Sequence, residues 1–153
     1  MERKFSGHRF YASLLTLGAC ILLYRTIMML SKGALETLVA WVSALLIVEL
    51  LVDLSCLLSS IRWGIYDSRE YSKLALRLGA AAAILHAFRV LIFVLVRIGP
   101  WIDFDVRPEQ REMHAERWSW TGVYLAAILS VMGIIGVIVI WRLIRRSRRQ
   151  NKP

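Results

Sequence analysis

The sequence predicts an all-α protein, a four-helix transmembrane bundle running up-down-up-down with both termini on the cytoplasmic side. Three observations predict it. Four long apolar runs are separated by short charged ones, Lys and Arg crowd the segments on one side, and Trp residues sit near the ends of the runs. The 153 residues are 58% hydrophobic and 20% charged, above the roughly 45–50% apolar content of soluble domains. At this length the chain reads as a single integral membrane domain over 1–153.

A helix needs about 20 mostly apolar residues to cross about 30 Å of hydrocarbon. Phe10–Leu30, Thr37–Leu58, Leu74–Ile98 and Trp120–Ile144 each meet this requirement. None alternates as a barrel strand does, and only a helix satisfies its own backbone in lipid. The first run follows Arg3, Lys4 and Arg9 and contains Leu17-Gly-Ala-Cys20, which resembles a lipoprotein cleavage box. The chain stays apolar from Ile21 to Leu30, where a lipoprotein turns polar, so an uncleaved span is the favoured reading. Gly33 suits the stop of this helix and a short first loop.

The second run leads to Asp67-Ser-Arg-Glu70, a capping-box pattern with Asp in the leading place. It is expected to start the third helix about two turns before the lipid. Gly99-Pro100 ends the third run, because Pro cannot extend the helical ladder. The outer loop 99–119 follows, with a short surface helix expected over Pro108–Arg117, preceded by Asp105 or Val106. Its acids Asp103, Asp105, Glu109 and Glu112 read as a solvated charged face. The fourth run passes into a basic tail, 145–153.

Orientation follows from Lys and Arg. The amino end, the loop with Arg62, Arg69, Lys73 and Arg77, and the tail with Arg142, Arg145, Arg146, Arg148, Arg149 and Lys152 form one strongly basic side. On the other side Lys32, Arg97, Arg107, Arg111 and Arg117 are offset by Glu36, Asp103, Asp105, Glu109, Glu112 and Glu116. The positive-inside rule places the basic side in the cytoplasm. Trp63 and Trp141 then fall at the inner boundary, with Trp41, Trp101, Trp118 and Trp120 near the outer one. The net charge of +9 is explained by this topology, and no nucleic-acid partner is expected.

The informative residues are the ionisable ones inside the runs: Arg25, Glu49, Asp53, His86 and Arg89. A charge at the bilayer centre costs roughly 2.5–3.5 kcal/mol on insertion scales, so such side chains turn inward and find partners. Glu49 and Asp53 are four apart and share a face, as do His86 and Arg89, three apart. At about 1.5 Å per residue, Glu49, His86 and Arg89 lie within about 5 Å of the midplane. The expected pair is Glu49 with Arg89, with His86 between it and Asp53. Arg25 is expected to reach Glu49 from above or to extend outward.

Two acids and two Arg residues balance, which favours a network that fixes helix arrangement over a titrating ion site. Gly79-Ala-Ala-Ala-Ala83 and the steps Gly122, Ala126, Ser130, Gly133 and Gly136 suit close helix packing. Haem would need a second His in the membrane, and Arg neighbours would repel a metal ion, so no cofactor or metal is expected. No catalytic triad, phosphate loop or HExxH motif is present, and the Tyr66–Lys73 loop reads as helix start and anchor, so an enzyme is not expected. Cys20 and Cys56 fall in different spans at different depths and form no disulfide framework.

The expected partners are the bilayer, with anionic headgroups at Arg142, Arg145, Arg146, Arg148 and Arg149, and another membrane protein or a second copy. The expected place is the cell membrane, by default a prokaryotic inner membrane. The expected role is a non-catalytic accessory, assembly or anchor subunit. The alternative is a component of a proton- or ion-coupled transporter or channel acting as an oligomer.

Overall fold

The computed structural model describes residues 7–98, 104–112 and 120–150. These are helical almost throughout. The helices are α1 (Gly7–Ser31), the single turn α2 (Ala34–Thr37), α3 (Ala40–Tyr66), α4 (Arg69–Ile98) and α5 (Trp120–Gln150), with a 3-10 turn at Pro108–Gln110. Three helices are long and apolar enough to cross a membrane: Gly7–Ser31, Ala40–Tyr66 and Arg69–Val96. Within α5 the apolar stretch Ala127–Leu143 is shorter, covering about 25 Å at about 1.5 Å per residue. The outward faces carry large apolar side chains, among them Leu17, Leu51, Leu95 and Met132, all exposed. Such a surface is consistent with contact to lipid.

Packing follows a shared spacing. On α3 the buried residues Val42, Leu46, Glu49, Asp53, Cys56, Ser60 and Trp63 recur at alternating steps of four and three. That is a period of 3.5, which keeps one seam against its neighbours. On α1, Ala12, Leu15, Ala19 and Thr26 are buried on the same spacing, with half-buried Leu22 between. The two helices run antiparallel: a Cβ on Gly64 would meet Ala12 at 3.5 Å, Thr16 Oγ1 donates to Ser60 Oγ at 2.9 Å, and Thr26 Oγ1 donates to Asp53 Oδ2 at 3.0 Å.

α4 carries two buried stripes. Ser72, Ala75, Gly79, Ala82, His86 and Arg89 form one, while Leu76, Ala83 and Val90 form another at steps of seven. The first faces α3: Cys56 Sγ donates to the Ala75 carbonyl at 3.9 Å. Gly79 is the closest approach, since a Cβ there would lie 2.9 Å from Leu15 Cδ1 and 3.6 Å from Cys56 Sγ. The second stripe meets α5, where Gly133 lies over Ala83 and Leu76 joins Val137 and Ile140 in one core with Ala12, Leu15 and Trp63. The side chains of Gly122 and Ala126 lie outside the described residues, and a Cβ on Gly136 would meet open space.

Trp63, expected at the inner boundary, lies in the last turn of α3 and is 2% exposed, packed in that core. It is the last member of the α3 stripe. The capping box is displaced by one residue. Asp67 closes α3 in the left-handed region at φ 46°, its N–H donating to the Trp63 carbonyl at 3.1 Å. Ser68 takes the capping role instead, its Oγ accepting from the Glu70 N–H at 3.2 Å. Gly33 ends α1 as expected, with φ 77°, a conformation that disfavours any side chain.

The outer loop is stitched to the start of α3. Leu38 and Val106 form an isolated antiparallel bridge, with the Val39 N–H on the Asp105 carbonyl at 3.0 Å and the Arg107 N–H on the Thr37 carbonyl at 2.9 Å. The Arg107 guanidinium donates to the carbonyls of Leu38 and Leu35 at 3.1 and 3.3 Å. This pairing buries Asp105, which is therefore not part of a solvated acidic face. The turn at Pro108 is preceded directly by Arg107, and Asp105 and Val106 lie before it in the pairing with Leu38 and Val39. Residues 113–117 of the expected surface helix lie outside the described residues.

Candidate functional site: a buried charge cluster

Halfway along the α3 seam the apolar residues give way to Glu49 and Asp53, and on α4 the facing positions are His86 and Arg89. All four are buried, Glu49, Asp53 and His86 at 0% and Arg89 at 4% exposure. A buried ion is tolerable only when its partners replace water. Arg89 Nε donates to both Glu49 oxygens, at 2.9 Å to Oε1 and 2.7 Å to Oε2. Its Nη1 rests on the Met29 sulfur of α1, and its Nη2 lies 3.2 Å from His86 Nδ1.

His86 connects the two carboxylates. Its Nε2 is 2.9 Å from Asp53 Oδ2, and its Nδ1 is 3.9 Å from Glu49 Oε2. Asp53 Oδ2 also accepts from Thr26 of α1. The result is an unbroken polar chain from Thr26 through Asp53, His86 and Arg89 to Glu49, which ties three helices together at one level. Its order follows from antiparallel packing: residues four apart on α3 face residues three apart on α4 in reverse.

Arg25 stands beside this chain and outside it. It forms none of the ion pairs within 4.0 Å among the described residues. Its Nη1 is buried without a hydrogen-bond partner there, as is Asp53 Oδ1. Thr26 and Met29 are the contributors that sequence reasoning missed. A Thr in a helix can bond its own preceding turn, and Thr26 does so to the Leu22 carbonyl at 3.2 Å, so nothing in the sequence demanded a partner on α3.

Among the described residues no group of three or more His, Cys, Asp or Glu side chains is placed to hold a metal ion. Arg89 already occupies both oxygens of Glu49. The two Cys residues are free, Cys20 exposed and Cys56 buried.

The second group of interest is cationic and exposed. Arg142, Arg145 and Arg146 project from the last turns of α5. The helical backbone continues through Arg148 and Arg149 to Gln150, and the side chains of those last residues lie outside the described set. Arg9, Arg62, Arg69, Lys73 and Arg77 are exposed at the same end, among the acids Asp67 and Glu70. At the opposite end exposed Lys32, Arg107 and Arg111 are matched by Glu36, Glu109 and Glu112. Comparison of the chain with protein-family models, with curated proteins and with solved structures finds no match.

Proposed function

We propose that this chain is a multi-pass protein of the cell membrane that crosses the bilayer four times, up-down-up-down, as one domain with both ends in the cytoplasm. The spans are those of the sequence, about 10–30, 37–58, 74–98 and 120–144, joined outside by the loop 99–119 and followed by the basic tail 145–153. The exposed apolar flanks of the helices and the charge difference between the two ends support this reading. Attaching single cysteines near residues 4 and 150 and labelling intact vesicles tests it. Both sites are expected to react only from the cytoplasmic side, and labelling from opposite sides overturns the topology.

Within that frame the chain acts as a non-catalytic accessory, assembly or anchor subunit. The observation that carries this is the closed Glu49–Arg89 pair, in which both oxygens of Glu49 are already bonded to Arg89. A site for chemistry keeps a position open to its substrate, whereas these groups are turned on one another. The exposed apolar face of α5 is where another membrane protein or a second copy docks. The Arg142, Arg145 and Arg146 end rests on anionic headgroups, each Arg near the surface contributing about 1 kcal/mol. Gentle detergent extraction followed by mass analysis is expected to recover a defined partner, and Glu49→Gln is expected to lower that recovery. Recovery of the chain alone, with Glu49→Gln unchanged in stability, removes the subunit reading.

One observation favours a second reading, a component of a proton- or ion-coupled transporter or channel working as an oligomer. His86 lies between two buried carboxylates, with Nε2 2.9 Å from Asp53 Oδ2 and Nδ1 3.9 Å from Glu49 Oε2, and ionisable groups of this kind inside a membrane mark ion and proton sites. Reconstituted vesicles that pass no protons or alkali cations under a pH gradient or an applied potential exclude it.

A further inference from the structure

The charges within the contacting cluster do not balance. An Arg side chain can only donate, so His86 Nδ1, 3.2 Å from Arg89 Nη2, is an acceptor. The single ring proton then sits on Nε2 and is donated to Asp53 Oδ2 at 2.9 Å. A neutral His86 leaves two carboxylates against one guanidinium, all of them buried. The surplus negative charge is marked by Asp53, whose Oδ1 is buried and unpartnered among the described residues.

Arg25 is the remaining cation close enough to act. It pairs with neither acid among the described residues, and its Nη1 is also buried without a partner there. It sits on α1 directly before Thr26, the residue bonded to Asp53. An unpartnered guanidinium one residue from Thr26 has a stem long enough to bring its charge toward the cluster or carry it away.

We propose that the His86–Asp53 pair is a binding site for one proton, and that this proton and the Arg25 guanidinium are alternative counter-charges for the same buried carboxylate. With Arg25 beside the cluster the imidazole holds one proton. When Arg25 withdraws toward the headgroups, a proton from water binds Nδ1 and no covalent bond between heavy atoms changes. The Nε2–H stays on Asp53 Oδ2, and the new Nδ1–H faces Glu49 Oε2, 3.9 Å away. Arg89 Nη2 turns aside, since two donors now meet, while Arg89 Nε keeps Glu49. The ionisable groups around the pair are Arg25 from α1, Glu49 and Cys56 from α3, and Arg89 from α4. The described buried residues of α5 that face α4, Ser130, Val137 and Ile140, add none. The inference rests on lipid surrounding the middle of these helices, which the labelling experiment tests separately, and it requires no transport.

The test is nitrogen NMR of the full-length, 15N-histidine-labelled chain in phospholipid nanodiscs at one fixed neutral pH, with His86→Gln assigning the signal. The wild type and Arg25→Lys are expected to give a neutral Nε2–H imidazole. Arg25→Gln is expected to raise the ratio of charged to neutral ring by about tenfold, the effect of losing a counter-charge at partly screened range. Adding Asp53→Asn to Arg25→Gln is expected to return the ring to neutral. An unchanged charged-to-neutral ratio in Arg25→Gln overturns the proposal, as does a doubly protonated ring in the wild type. A second measurement needs no variant: modification of Arg25 by phenylglyoxal, relative to exposed Arg145, is expected to rise as lowered pH charges the His86 ring. A constant ratio across that change also overturns it.

Discussion

α3 buries side chains along its whole length, from Val42 to Trp63. The buried, described side chains of α5 are Ser130, Val137 and Ile140, and Tyr124, Ile128, Met132, Ile135 and Trp141 of the same helix are exposed. In lipid this contrast carries different energies from those in water. An apolar side chain gains little by leaving hydrocarbon for a protein interior, so helices associate through close fit and polar pairing. α3 has both, a seam of small and medium residues and a charge cluster at its centre. The described contacts of α5 are of the first kind at Gly133 against Ala83 and at Val137 and Ile140 against Leu76. α3 carries the longer buried seam, and substitutions on the two helices measure how much that difference is worth.

The sharpest way to break this contrast is Glu49→Gln, which leaves the Arg89 guanidinium charged and without its carboxylate. Removing one partner of a buried pair costs about 3–5 kcal/mol, and denaturation by dodecyl sulfate in mixed micelles, followed by circular dichroism, should register a loss of that order. Next comes Gly79→Ala. The new methyl falls 2.9 Å from Leu15 Cδ1, and overpacking of about 1–3 kcal/mol exceeds the helix-propensity gain of about 1 kcal/mol. The same denaturation should show a net loss, relieved when Leu15→Ala is added. Thr26→Val removes the hydroxyl that Asp53 accepts. Its expected cost is about 0.6–1.7 kcal/mol, the range of interhelical hydrogen bonds in membranes.

The smallest effect belongs to α5. At Gly133 an added Cβ would meet Ala83 Cβ at 3.8 Å, an ordinary contact. Gly133→Ala is therefore expected to change stability by less than about 0.5 kcal/mol. A loss as large as that of Gly79→Ala would mean that α5 is as tightly fitted as α3, and the contrast would fail.

The helices themselves were legible because long apolar runs leave the backbone no other way to bond itself in lipid. The common depth of Glu49 and Arg89 could be read from helical rise, and the position of His86 beside Asp53 from the reversed order on an antiparallel neighbour. Arg25 could not be placed, since a long flexible stem lets one Cα position serve several charge positions. Thr26 was hidden by its ability to bond its own helix. Asp105 looked like a surface acid until the bridge between Leu38 and Val106 drew its backbone inward, and a pairing of that kind between distant residues leaves no local signal. The burial of Trp63 was hidden for a related reason: its place near the end of α3 was legible, but which neighbours would cover its ring was not.

The alternating four-and-three spacing of α3 has a mechanical consequence. The same stripe holds Val42, Leu46, Cys56 and Trp63 together with both carboxylates, so rotation of this rod about its own axis would carry every one of them off its neighbour at once. Axial sliding meets the same obstacle, because the pattern matches itself again only after one full repeat, about 10 Å along the axis. α3 is thus keyed against turning and slipping alike, and any motion of the assembly passes to the helices around it.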